Sequence, residues 1–305
     1  MAGSERRITV ISKEAKQLIG QLKAVYVPVV DWKNMDWEEL RKGAAALVPD
    51  GPYPAGVRWE EDVINGVSVE RTIVAGASEK LIYHIHGGGM CMGEARYDRF
   101  MLSHVGSLSG RCVVSANYRL SPEFKQPAAI EDCAAVYRGL LSSGHSPENI
   151  VLLGESAGGM LVLSLCAWLK QNGLPLPAAV CAISPSVDSE YESQSMETNR
   201  DTEIIVNGNL KPMMKEIYFG DAGPKDPVLS PIHSDLHGWP PVYFMACRNE
   251  ILRDESVRMC VKLQEADVKS ELTIDEDLFH TYMMHVLPES FEAFQRIADF
   301  YNRES

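Results

Sequence analysis

Ser156 stands at the centre of Gly154-Glu155-Ser156-Ala157-Gly158, directly after the apolar run Ile150–Leu153 and ahead of Gly159–Lys170, a segment apolar enough and long enough for a helix. A strand, a tight turn and a helix would lift the serine hydroxyl clear of the backbone at the carboxyl end of a sheet. The flanking glycines let strand and helix approach closely, and the helix N-terminus behind the serine favours developing negative charge. A second group of residues serves the same chemistry. The apolar run Leu81–His86 reads as a strand and leads straight into Gly87-Gly88-Gly89. Consecutive glycines are entropically costly, and their bare N–H groups can cradle an oxyanion. Nucleophile and oxyanion donors together point to acyl transfer.

A serine hydroxyl attacks only when a base takes its proton, and the base needs an acid to fix its tautomer. In the chain order serine, acid, histidine, the acid should follow a later strand and the histidine the last one. Val242–Ala246 is such a strand, and Glu250 and Asp254 lie just beyond it; for the histidine, His280 and His285 are both placed after the final strand. His84, His104, His145, His233 and His237 fall on strands, helices or turns away from those positions. Cys91, two residues past the glycines, reads as a small wall residue in preference to a reactive thiol, and Glu155 either lines the pocket or pairs with a neighbouring loop.

The elements that must position these groups alternate. Residues 12–24 suit an amphipathic helix with Ala15, Leu18, Ile19 and Leu22 on one face, and Asp36 can cap a second helix with Glu39 three residues on. Val57–Val63 and Val67–Ala75 flank Asn65-Gly66, a hairpin signal. From Lys80 strands and helices take turns: Leu81–His86, Tyr97–Leu108, Cys112–Ala116, Ala128–Leu141, the serine unit, and Ala178–Ile183. The alternation lapses over Val187–Trp239 except for a helix expected at Pro212–Phe219. It then resumes with Val242–Ala246, Glu255–Glu265, Val268–Ile274 and Pro288–Tyr301. That order predicts an α/β fold with a mostly parallel central sheet.

The chain has 305 residues, 45% of them hydrophobic, with 29 basic against 42 acidic side chains and a formal charge of −13. Such a balance argues against nucleic acid or an anionic membrane as partner. Seven scattered cysteines, with neither Cys-x-x-Cys nor metal-ligand spacing, read as free thiols of a reducing, cytoplasmic compartment without a metal site. No run of about 18 apolar residues occurs, so no membrane insertion is expected.

His86-Gly87-Gly88-Gly89, Tyr118-Arg119-Leu120-Ser121-Pro122-Glu123 with Pro127-Ala128, and Gly154–Gly159 together resemble the hormone-sensitive-lipase-like esterases of the α/β-hydrolase superfamily. The resemblance covers roughly residues 80–305, with weaker echoes at Leu229-Ser230-Pro231 and Pro240-Pro241. It implies Ser156 as nucleophile, with Gly88, Gly89 and Ala157 N–H as oxyanion donors and His86 as a brace of that loop. By position it favours Glu250 over Asp254 and His280 over His285. The run Glu250-Ile251-Leu252-Arg253-Asp254-Glu255 departs from the family's usual Asp-Pro-Leu-x-Asp-Glu, with Glu in the acid's place. The resemblance further implies a helical cap made by residues 1–48 and 187–239 over a catalytic domain of 49–186 and 240–305. Tyr26, Trp32, Trp37, Met196, Met213, Met214, Ile217 and Tyr218 would give the cap an apolar, adaptable lining. Short- to medium-chain acyl esters are the implied substrates, with no cofactor and a homodimer paired along Val268–Ile274. A deacetylase or formamidase on the same scaffold is the alternative, followed by a non-catalytic small-molecule receptor. Arg96, Arg99 and Lys211 are single cations that could meet an anionic substrate group.

Overall fold

The computed structural model describes residues 11–25, 32–45, 48–206 and 209–305. Tyr26, expected in the cap, lies outside them. Eight strands form one sheet among the described residues: β1 (Val57–Ile64), β2 (Val67–Val74), β3 (Leu81–Ile85), β4 (Cys112–Ala116), β5 (Ile150–Glu155), β6 (Ala179–Ile183), β7 (Val242–Cys247) and β8 (Ser270–Asp275). Their spatial order is β1-β2-β4-β3-β5-β6-β7-β8. The β1–β2 and β2–β4 pairs are antiparallel and every later pair is parallel. The hairpin turns at Asn65 and Gly66, both with positive φ (48° and 85°), as a two-residue turn between right-twisted strands requires.

The helices are α1 (Lys13–Val25), α2 (Trp37–Ala45), α3 (Arg99–Ser109), α4 (Ala128–Ser142), α5 (Ala157–Gln171), the single turn α6 (Ser195–Thr198), α7 (Leu210–Ile217), α8 (Arg253–Glu265) and α9 (Pro288–Glu304). Strands β3, β5, β6 and β7 are buried at every position, which explains why they read as continuous apolar runs and not as alternation. Their side chains feed two apolar layers. One holds α4, α5 and α8 on one face of the sheet, and the other holds α1, α3 and α9 on the opposite face.

Most elements fall where the residue pattern predicts them, with instructive shifts. A 3₁₀ turn, Ala95–Asp98, precedes α3, so the α-helix opens two residues later than Tyr97. Helix α7 starts and ends two residues before the expected Pro212–Phe219, because Pro212 lacks only an N–H that the first turn leaves unpaired anyway. Helix α1 is capped by Ser12, whose hydroxyl accepts the Ala15 N–H at 3.0 Å. Its predicted face packs into the α9 layer. Asp36 caps α2 by accepting the Glu39 N–H at 3.0 Å.

Candidate active site

Strands β3 and β5 are neighbours, paired Ile85 to Gly154, so the loop that leaves β3 and the turn that leaves β5 emerge side by side at the carboxyl end of the sheet. The β5 turn is severe. Ser156 takes φ 54° and ψ −119°, a conformation a non-glycine residue holds only when its surroundings enforce it. The enforcement is visible: Ser156 N–H donates to Ile183 O at 2.8 Å, and α5 begins at the next residue. A Cβ on Gly158 would lie 1.9 Å from Ile85 O, so only glycine allows the helix this close to β3.

The Ser156 hydroxyl lies 2.9 Å from His280 Nε2, and His280 Nδ1 lies 2.6 Å from Glu250 Oε2. An Nδ1–H donating to the carboxylate leaves Nε2 free to accept the serine proton. Burial pulls the His280 imidazole down, but its hydrogen bond to Glu250 and the charges of Glu250, Glu203 and Glu155 outweigh that and hold it above its ordinary value. Both side chains are almost inaccessible. The second Glu250 oxygen accepts from Cys247 N–H at 2.8 Å and from the Ser184 hydroxyl at 2.9 Å. Asn199 donates to the carbonyls of Arg248 and Glu250, and Glu203 accepts the Ile251 N–H. The segment after β6 therefore braces the turn that carries Glu250.

The alternatives sit elsewhere. Asp254, in the first turn of α8, accepts the Ser195 N–H at 2.9 Å and pairs with Arg253. His285 packs against the Phe279 ring. His86 is buried and stacks on Tyr118; burial lowers its pKa to about 3, so it stays neutral. Cys91 is a buried wall residue, its thiol pushed up to about 12 by burial. Glu155 pairs with a neighbouring loop: one oxygen accepts the Gly87 N–H and the other faces His84 Nε2 at 2.9 Å.

Gly88 and Gly89 both hold positive φ (97° and 61°), and a Cβ on Gly88 would sit 2.3 Å from Met92 O. Their N–H groups find no backbone acceptor among the described residues. Above this loop and Ser156 opens a cavity of about 400 Å³. Its walls are apolar: Trp37, Leu40 and Ala44 of α2, Leu210, Met213 and Met214 of α7, and Met90, Met92 and Met160 below. Of the expected lining, Trp37, Met213 and Met214 reach it, whereas Trp32, Met196, Ile217 and Tyr218 pack into the apolar layer behind. Arg96, Arg99 and Lys211 pair with Glu94, Glu70 and Glu190, and none of the three lines the cavity. Arg41 was not evident from the residue pattern. It binds Glu123 through two nitrogens at 2.8 Å each and also donates to Cys91 O and Ser121 O, tying α2 to the loop that carries the glycines.

The family model of the alpha/beta hydrolase fold matches residues 82–284, about two thirds of the chain. The chain belongs to this family. Among curated relatives of this α/β-hydrolase, an acetyl-hydrolase of Streptomyces hygroscopicus is 34% identical over 222 residues, spanning 71% of this chain and 73% of the relative. An esterase of Acinetobacter venetianus is 32% identical over 238 residues, 77% and 78% of the two chains. The crystal structure of an esterase from the bacterial hormone-sensitive lipase family superposes with a TM-score of 0.88 at 31% identity, over 97% of this chain and 99% of that one. This α/β-hydrolase is a carboxylic-ester hydrolase of the hormone-sensitive-lipase type. No helix among its described residues is long and apolar enough to cross a membrane.

Proposed function

We propose that the enzyme hydrolyses short- to medium-chain acyl esters of small molecules through an acyl-enzyme on Ser156. The observation that carries this reading is the hydrogen-bonded series Glu250–His280–Ser156 beneath an apolar cavity. Ser156 Oγ attacks the ester carbonyl carbon as its proton passes to His280 Nε2. The imidazolium formed is stabilised by Glu250, and the oxyanion is held by the N–H groups of Gly88, Gly89 and Ala157. The intermediate collapses, the carbonyl–alkoxy bond breaks, and the leaving oxygen takes the proton from His280. Water then repeats the sequence on the acyl-enzyme, with His280 as base and then acid, releasing the carboxylic acid and free Ser156.

A cavity of about 400 Å³ lies near the small end of ligand pockets, which span about 300–1,000 Å³. That size favours short acyl groups, as does the name acetyl-hydrolase borne by the Streptomyces relative. Residues 1–48 and 187–239 act as the cap, a division supported by the α2 and α7 side chains over Ser156. Seven free cysteines, six of them buried, suit a cytoplasmic setting. Strand β8 is an outer edge of the sheet, where a second copy would pair. Light scattering over a concentration series that finds only monomer removes that dimer.

The test is turnover of p-nitrophenyl acetate, butyrate, octanoate and laurate by the wild type and Ser156→Ala. The reading predicts hydrolysis of the shorter esters that vanishes in the variant. Absence of turnover on all four esters would defeat it.

A further inference from the structure

Glu155, His84 and Ser115 form a buried polar chain that the acyl-transfer steps do not use. Each is 5% exposed or less, and buried Glu70 stands across from Ser115 on β2. His84 Nδ1 lies 2.7 Å from Ser115 Oγ, and its Nε2 lies 2.9 Å from Glu155 Oε2. The other Glu155 oxygen accepts the N–H of Gly87. Asp98 stands 3.9 Å from the same His84 nitrogen, too far for a hydrogen bond, and burial, with Glu155 beside it, raises its carboxyl well above the ordinary value.

Gly87, following His86 at the end of β3, leads directly into the two glycines whose N–H groups face the oxyanion. Its peptide is gripped from both sides. Glu155 takes its N–H, while its carbonyl receives the Tyr118 hydroxyl at 3.3 Å and lies 2.8 Å from His86 Nδ1. A Cβ at position 87 would stand 2.8 Å from Glu155 O, so the loop rests directly on the β5 backbone at this point. A loop with three glycines in a row has little conformational preference of its own. Its donors need an outside hold to stay aimed at a position defined to a few tenths of an ångström.

We propose that Glu155, clamped by His84, is a positioning residue for the oxyanion hole: its carboxyl oxygen accepts and fixes the Gly87 N–H and thereby aims the N–H groups of Gly88 and Gly89. This rests on the reading of Ser156 and the glycine loop given above. Two consequences follow. The hold is exerted on the tetrahedral intermediate and not on the ground-state ester, so its loss lowers kcat and leaves KM nearly unchanged. An uncharged residue that still offers an acceptor to Gly87 preserves most of the effect, whereas an apolar one does not.

The experiment compares wild type, Glu155→Leu, Glu155→Gln and His84→Gln on p-nitrophenyl butyrate. Each is also titrated with an alkyl trifluoromethyl ketone, which adds to Ser156 as a tetrahedral mimic, and circular dichroism checks each fold. Glu155→Leu is expected to lose about 10²-fold in kcat, as for one missing oxyanion donor. KM should stay within about threefold, and the ketone should bind weaker by the same factor as kcat/KM falls. Glu155→Gln should retain kcat within about tenfold, and His84→Gln should lose kcat and ketone affinity in parallel. If Glu155→Leu does not fold, His84→Gln carries the test alone. A folded Glu155→Leu or His84→Gln with wild-type kcat overturns the proposal, as does a loss of kcat with unchanged ketone affinity. Turnover that survives in Ser156→Ala would instead sink the reading of the site, a separate result from these ratios.

Discussion

Glu250 offers one carboxylate oxygen to His280 Nδ1 at 2.6 Å and turns the other to Ser184 and the Cys247 N–H, so both oxygens are held in a site with almost no solvent. A glutamate is one methylene longer than the aspartate usual at this place in the family. Here the Glu250 N–H closes a turn onto Cys247 O, and the carboxylate folds back onto the Cys247 N–H. Glu250→Ala should lower kcat about 10⁴-fold, as when the acid of such a triad is altered or removed. Asp254→Ala should leave kcat within about threefold and cost about 1 kcal/mol of stability, because it removes an acceptor from Ser195. Steady-state kinetics and urea melts of the two variants check this pair of expectations; equal losses of kcat would be inconsistent with Glu250 as the acid.

His280 must be neutral to take the Ser156 proton. Its pKa is held above the ordinary 6.5, so activity should rise as pH climbs through a midpoint above that value and fall away below it. Glu250→Gln removes the anion and leaves burial, which pulls the other way, so the acidic limb of kcat/KM should move to lower pH. A pH profile of the residual activity reads the shift. A limb that stays in place would mean that another group titrates.

Two glycine substitutions should have opposite signs. Gly158→Ala forces a Cβ to 1.9 Å from Ile85 O, backbone against backbone, and should destabilise by about 3 kcal/mol or more and abolish turnover. Gly20, inside α1, has no atom within 4 Å of its Cβ position, so Gly20→Ala should stabilise by up to about 1 kcal/mol. Thermal unfolding separates the two.

Arg41 reaches from α2 to Glu123, Cys91 O and Ser121 O, while its helix walls the cavity through Trp37, Leu40 and Ala44. Arg41→Ala should therefore change ester preference more than chemistry. KM for octanoate should rise several-fold while kcat on acetate holds, and Arg41→Lys should rescue only in part, because one ammonium cannot reproduce a bidentate fork. Equal effects on both esters would show that α2 does not shape the acyl site.

The sheet, the serine turn and the glycine loop were legible because each leaves a local mark: continuous apolar runs for strands buried on both faces, and glycines where no Cβ fits. What escaped the residue pattern is held by tertiary contact. Glu250 and Asp254 lie four residues apart on one turn and helix start, and only distances to His280 and Ser195 separate their surroundings. The segment after β6 has no regular periodicity because its order comes from single side chains such as Asn199 and Glu203 gripping the acid turn. Trp32 and Tyr218 look like pocket aromatics by type, yet Tyr218 is buried in the core and Trp32 packs half-buried against it. Arg41 is one of many surface-like cations in the sequence, and its partner Glu123 is 82 residues away.

Every step of the proposed acyl transfer passes through Ser156 as nucleophile. The most direct measurement is the mass of the intact protein after treatment with a p-nitrophenyl alkylphosphonate, followed by peptide mapping. One phosphonyl group per chain is expected, placed on Ser156, with p-nitrophenol released in equal amount and esterase activity lost in step. A label on any other residue, or full esterase activity in a protein fully labelled at Ser156, would contradict it.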